Sequence, residues 1–211
     1  MPDAHFSDII TSVDALRQVM GMPSELVVRK QLDRLDTHAR RFIALSPFLM
    51  VGTSGPDQAG DVSPRGDAPG FVLVLDDNTL LIPERPGNRR TDTLVNILHA
   101  GGVGLIFLIP GVEETLRVNG RACIVRDHAL LARLQAQGKQ PLLAIAVEVR
   151  ECFFHCAKAF KRSGLWKPDS WPGSTGLASL AQIMMDQVKP TNTTVQELED
   201  QIAESYAKRL Y

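Results

Sequence analysis

The chain predicts a mainly β fold with α additions, an antiparallel sheet or barrel of roughly six or seven strands with helical extensions at both termini. Three observations predict it. Short apolar or alternating runs of strand length fill the chain from Pro47 onward. Most connections between them are of hairpin length and rich in Gly, Pro, Asp or Asn, which favours antiparallel neighbours over helical crossovers. Helical extensions are read before Pro47 and after Trp166, where helix-start signals recur.

The elements follow in order. Thr11 to Asp14 matches a capping box, and a short helix runs from it to the stop at Gly21. Met22-Pro23-Ser24 opens a second helix whose apolar face is Val27, Leu32, Leu35, Ala39 and Phe42. Phe48 to Thr53 is an apolar strand that ends in the turn Ser54-Gly55-Pro56, and Asp61 to Arg65 is a more polar one. Phe71 to Leu75 and Leu80 to Pro83 flank Asp76-Asp77-Asn78 as a hairpin. Thr91 to His99 reads as a short helix and Val103 to Ile109 as a buried strand. Thr115 to Val125 and Pro141 to Phe154 are long strands separated by a helix over Asp127 to Gln137. Ser179 to Val188 is helical, and Thr194-Val195-Gln196-Glu197 is a capping box for a last helix ending near Leu210. The expected organisation is one structural domain: an N-terminal helical extension over 1–46, the barrel over 47–166 and a C-terminal helical extension over 167–211.

Composition narrows the function. A chain of 211 residues, 44% hydrophobic and 22% charged, suits a soluble globular protein with a substantial core. A formal charge of −1 argues against non-specific nucleic-acid binding, which needs a basic surface. The most apolar stretch, Val103 to Pro110, is too short to span a bilayer. Met1 to Ile10 is polar and carries acids where an export signal would be apolar, and the cysteine count of 3 is odd, so a cytoplasmic location is expected.

Four segments carry chemistry. In Asp61-Val62-Ser63-Pro64-Arg65-Gly66-Asp67, a strand ends in an Arg-Gly turn that would admit a ligand to the backbone and offer it a two-pronged donor. Ile82-Pro83-Glu84-Arg85-Pro86-Gly87-Asn88-Arg89-Arg90-Thr91-Asp92 runs from a strand through a loop into a helix. Asn88 or Thr91 could cap that helix, and Arg89 and Arg90 beside its positive end oppose the dipole unless an anion binds there. In Thr115-Leu116-Arg117-Val118-Asn119, alternation places Thr115, Arg117 and Asn119 on one face, as a pocket lining or as the wet side of a sheet. The fourth, Cys152 to Trp166, mixes aromatics with cations. Cys152, His155 and Cys156 fall short of the four ligands of structural zinc, so no metal is expected.

Taken in order, these segments resemble the pyridoxamine 5'-phosphate oxidase-like family, and more closely its subgroup of probable FMN-dependent enzymes of unassigned substrate. The residues carrying the resemblance are Ser63-Pro64-Arg65-Gly66, Pro69-Gly70-Phe71, Ile82-Pro83 with Pro86-Gly87-Asn88-Arg89-Arg90, Leu116-Arg117-Val118-Asn119-Gly120, and His155-Cys156 followed by Lys158, Arg162 and Leu165-Trp166. The resemblance implies an antiparallel six- to seven-stranded split β-barrel that forms a homodimer with flavin mononucleotide (FMN) between the subunits. Arg65, Gly66, Asn88, Arg89 and Arg90 would lie at the FMN phosphate. Ile82 and Pro83 would bring backbone against the flavin or its ribityl chain, Thr115 and Arg117 would reach the cofactor, and His155, Lys158, Arg162 and Trp166 would approach from the other subunit. It implies an FMN-dependent oxidoreductase acting on a small molecule, with no catalytic acid or base assigned. The phosphate-clamping residues of true pyridoxamine phosphate oxidases have no counterpart here, so that substrate is not implied. A non-enzymatic flavin or haem binder, a deazaflavin-dependent reductase and an interaction module on an empty barrel are the alternatives.

Overall fold

A computed structural model describes residues 5–211. Its centre is one sheet of seven strands: β1 (Phe48–Ser54), β2 (Gly60–Gly66), β3 (Leu73–Val74), β4 (Thr79–Pro83), β5 (Gly102–Leu108), β6 (Thr115–Val125) and β7 (Ala144–His155). The order is β2-β1-β5-β6-β7-β4-β3, and every adjacent pair is antiparallel. The two edges are β3 and β2, and β2 carries Pro64 within it.

Alternation along each strand decides what the sheet buries. Leu49 and Val51 of β1, Leu105 and Phe107 of β5, Leu116 and Val118 of β6, Ile145 and Val147 of β7, and Leu80 and Ile82 of β4 form one core and are essentially inaccessible to solvent. Each such side chain stabilises the fold by about 1.5–3 kcal/mol relative to exposure. Helix α3 (Thr37–Leu45) covers this face with Ala39, Phe42 and Ile43. The opposite side of β4 is buried too, because Leu81 packs with Leu131 and Leu134 in a second, smaller core.

Six elements differ from the sequence reading. The first helix, α1 (Val13–Met20), is capped by Ser12 rather than by a box starting at Thr11, since Ser12 Oγ accepts from the Ala15 amide. The expected long helix after Ser24 is two: α2 (Glu25–Arg29) and α3, separated where Leu32 pairs with Cys152 of β7. Asp36 then restarts the helix by accepting from the Ala39 amide, so Val27 is exposed and does not share a face with the core residues. Strand β3 is only Leu73–Val74, and β7 begins at Ala144. Helix α5 stops after one turn (His128–Ala132), while α6 (Lys158–Ser163) forms where the sequence reading assigned no element.

The remaining helices and strands agree with the sequence reading. Helix α4 (Asp92–Ala100) follows β4 and packs on β1, β2 and β6. Helices α7 (Leu180–Val188) and α8 (Val195–Lys208) pair with each other, and Thr194 and Glu197 form the expected reciprocal capping box. Among the described residues, no helix is long and apolar enough to cross a membrane.

Candidate phosphate site and outer-face cluster

The loop from β4 into α4 is strained in a way the sequence anticipates only in part. The Asn88 side chain accepts from the Arg90 amide at 3.0 Å, an Asx-type turn that lifts Arg89 to φ 61°. Thr91 stands at the helix start with φ 59°, a costly conformation for a β-branched residue. Its hydroxyl donates to the Arg90 carbonyl instead of capping the helix. Arg90 Nε donates to Asp92 Oδ2 at 2.8 Å, and both arginines are exposed. The helix thus has two basic side chains just before its positive end, Asp92 in its first turn and no side-chain cap, an arrangement with amides left for an anion.

Arg65 is tied to the same place. Its Nη1 donates to Ser63 Oγ at 3.0 Å, and Ser63 Oγ lies 2.7 Å from Thr93 Oγ1 in the first turn of α4. Thr93 also donates to Asp61 Oδ2, and Asn96 donates to Thr53, so polar contacts dock α4 on β1 and β2. Arg65 therefore reaches the start of the helix that the Asn88-Arg89-Arg90 loop leads into, whereas Gly66 stands beside Phe48 and Pro47. Ile82 and Pro83 lead to that loop from inside the barrel. Ile82 is fully buried opposite Ile145, and Pro83 is buried opposite Ala144.

Side chains bridge the split of the barrel at this point. Arg65 Nη2 stands 3.2 Å from Glu84 Oε2, and Arg85 Nε donates to Asp67 Oδ2 at 2.7 Å. Tyr211 adds a third link: its hydroxyl donates to Asp67 Oδ1 at 2.7 Å, and its ring faces the Arg85 guanidinium at 5.6 Å.

A second cluster lies on the other face of the sheet. Arg65 shares its face with Leu49, whereas Arg117 is level with Ile106 and Met50, which point outward. Arg117 Nη2 lies 3.3 Å from Glu151 Oε1, which also accepts from Asn119 Nδ2 at 2.7 Å, and the Arg117 guanidinium stacks 4.5 Å from the Phe153 ring. Lys30 faces the same ring and donates to the Phe154 carbonyl. Thr115 is buried opposite His155. Burial, then repulsion by Arg117 and Lys30, pushes the His155 imidazole below its ordinary 6.5, so it is neutral at pH 7.

That shift has a checkable sign. The unfolded chain takes up the proton first, so stability falls as pH drops below about 6.5 toward the folded value. The expected result is that His155→Gln flattens the melting temperature between pH 7.5 and 5; an unchanged slope would assign it to other groups.

Beyond His155, the rest of the fourth segment makes contacts outside both clusters. Trp166 donates its indole N–H to the Val112 carbonyl at 2.8 Å and stacks on Phe160 at 5.6 Å. Lys158 and Arg162 are exposed on α6, whose Lys161 pairs with Glu113. The Lys158 amide draws the exposed Cys156 thiol below its usual range, whereas burial pushes Cys152 up to about 12.

Glu151 and Tyr211 escaped the sequence reading, and Asp67 was named there only as the end of the first segment. Glu151 gains meaning only from its register with Asn119, and Tyr211 meets Asp67 from the far end of the chain.

No curated protein matches the chain. Among solved structures, HupZ of Group A Streptococcus is 19% identical and aligns over 56% of this chain and 92% of its own, with a TM-score of 0.47. General Stress Protein 26 of Bacillus anthracis str. Sterne is 13% identical over 56% of this chain and 94% of its own, TM-score 0.42. A Clostridium acetobutylicum protein related to general stress protein 26, of the pyridoxinephosphate oxidase family, is 16% identical over 56% and 85%, TM-score 0.44. The pyridoxamine 5'-phosphate oxidase family model matches residues 35–156, which is more than half of the 211 residues and spans β1 to β7. By that match, and by the antiparallel barrel those residues build, the chain belongs to the pyridoxamine 5'-phosphate oxidase family.

Proposed function

We propose that this chain is an FMN-binding flavoprotein that acts as a homodimeric, flavin-dependent oxidoreductase on a small molecule. One observation carries the reading: the hydrogen-bond chain Arg65–Ser63–Thr93, which ties a strand-end arginine to the start of a helix whose leading loop bears Arg89 and Arg90. A phosphate dianion suits this donor set. It would accept charge-assisted hydrogen bonds and compensate the helix dipole. FMN, when bound, supplies hydride or electron exchange at its ring.

The chain's own residues do the rest. Arg65, Gly66, Asn88, Arg89 and Arg90 would hold the phosphate, with Ile82 and Pro83 bringing backbone toward the flavin. Phe48, Met50 and Val62 are exposed on the outer face around Ile106 and Arg117, an apolar surface of the kind a second copy covers. In that dimer Thr115, Arg117 and His155, and the partner's side of α6 with Lys158, Arg162 and Trp166, would enclose the cofactor. Neutral His155 is suited to accept a proton near the reacting atoms.

The test is an FMN titration followed by flavin fluorescence, comparing wild type with the Arg89→Ala, Arg90→Ala double variant. Wild type is expected to bind about one FMN per subunit, and the double variant to bind at least about tenfold more weakly, roughly 1.4 kcal/mol. A wild type that ignores FMN sinks the reading, and binding of a deazaflavin or haem in its place would redirect it.

A further inference from the structure

We propose that Glu84 is a built-in competitor for the phosphate site, a carboxylate that occupies Arg65 when no anion is bound and is displaced when one arrives. The proposal rests on the phosphate-site reading above.

Two neighbouring ion pairs cross the split of the barrel, and they differ in quality. In the Asp67–Arg85 pair the contact is 2.7 Å, and Asp67 also accepts from the Tyr211 hydroxyl and the Ala68 amide, each at 2.7 Å. In the Arg65–Glu84 pair the atoms are 3.2 Å apart but off the hydrogen-bonding direction. Glu84 Oε2 is buried without a hydrogen bond, and so is Arg65 Nε. The side chains are 16% and 26% exposed, so solvent does little to satisfy either. A guanidinium holds a carboxylate or phosphate best through two parallel N–H donors. Here Nη1 is spent on Ser63 and Pro64, while the Nε–Nη2 edge is filled badly by one oxygen of Glu84.

A half-satisfied pair is the one an incoming anion can replace at least cost. A phosphate oxygen can approach Nε and Nη2 together and satisfy the donor that Glu84 leaves orphaned. Glu84 needs only to rotate outward, because its backbone is held independently by the bond from its amide to the Leu143 carbonyl. The split stays fastened meanwhile by Asp67, Arg85 and Tyr211. Glu84 therefore sets the affinity of the site and keeps Arg65 compensated when the site is empty.

The experiment measures inorganic phosphate binding, by phosphorus NMR line broadening, and FMN binding, by fluorescence. It compares wild type, Glu84→Gln, Arg65→Ala and the double variant, with Glu84→Ala as a second probe. The expected result is that Glu84→Gln and Glu84→Ala tighten both ligands about tenfold, and that the gain vanishes in the Arg65→Ala background. Unchanged or weaker binding in both Glu84 variants overturns the proposal. So does a gain that persists without Arg65, which would reflect general electrostatics only, and so does failure of wild type and variants alike to bind phosphate. Tightening for phosphate with no FMN binding in any variant would uphold the competitor and reject the FMN reading.

Discussion

Gly120→Ala is expected to destabilise the protein by about 3 kcal/mol, the upper range for forcing an atom into a packed interior. A Cβ at position 120 would lie 2.1 Å from the Glu148 carbonyl oxygen, 3.0 Å from its carbon and 3.1 Å from Val147 Cγ1. The obstacle is backbone of the adjacent strand, which cannot swing aside as a side chain can. The closeness has a cause: the register of β6 and β7 slips between Asn119 and Gly120, so Asn119 faces Glu151 while Gly120 faces Val149, and Arg150 is the extra residue of a β-bulge. The bulge also makes the outer-face cluster. Ile145, Val147 and Val149 point into the core at odd positions, yet past Arg150 the inward residues are Cys152 and Phe154, so Glu151 and Phe153 turn outward to meet Arg117. Urea denaturation checks the prediction against Gly60→Ala, where a Cβ meets nothing within 4 Å and a change under about 0.5 kcal/mol is expected. Equal stability of the two variants would refute the close approach.

Asp67→Ala should cost about 3 kcal/mol as well, because it strips a partly buried guanidinium of its partner. The Asp67 side chain is 3% exposed and Arg85 15%. Burial alone would raise the Asp67 carboxyl, but the Tyr211 hydroxyl, the Ala68 amide and Arg85 together outweigh it and hold the group below its ordinary 3.8. A depressed carboxylate stabilises the fold fully above its unfolded value, and that contribution is lost as pH falls from about 4 through the folded value. Asp67→Asn is therefore expected to lower the melting temperature at pH 7 and to converge on wild type under strong acid. Parallel curves at every pH would show that the carboxylate charge contributes nothing.

The sheet was legible because strand alternation and turn residues are local signals. Leu116 and Val118 against Arg117 and Asn119 fix the inner and outer faces of β6 before any partner strand is known. The bulge left a trace as well, in the phase change from Val149 to Cys152 and in a glycine inside a strand, but the reading took Pro141 to Phe154 as one uninterrupted alternation. The helix drawn from Ser24 to Phe42 failed for a different reason. Its spacing is helical, but the pairing of Leu32 with Cys152 is a long-range contact that wins over local periodicity. At the candidate site, the basic residues and their loop could be named from composition and turn chemistry. Their partition onto two faces of the sheet, and the roles of Glu84, Glu151 and Tyr211, depend on register and on contacts between distant segments.

Pro64 limits how copies of this chain can meet. The Asp67 amide donates to Pro47 on the β1 side, so alternation turns position 64 toward the free edge, where proline offers no donor. Arg65 and Asp61 flank it with charge. Growth of the sheet by adding a neighbour's strand is thereby blocked along β2, and the two-residue β3 gives a template too short to recruit one. Contacts between copies are left to surfaces other than these two sheet edges.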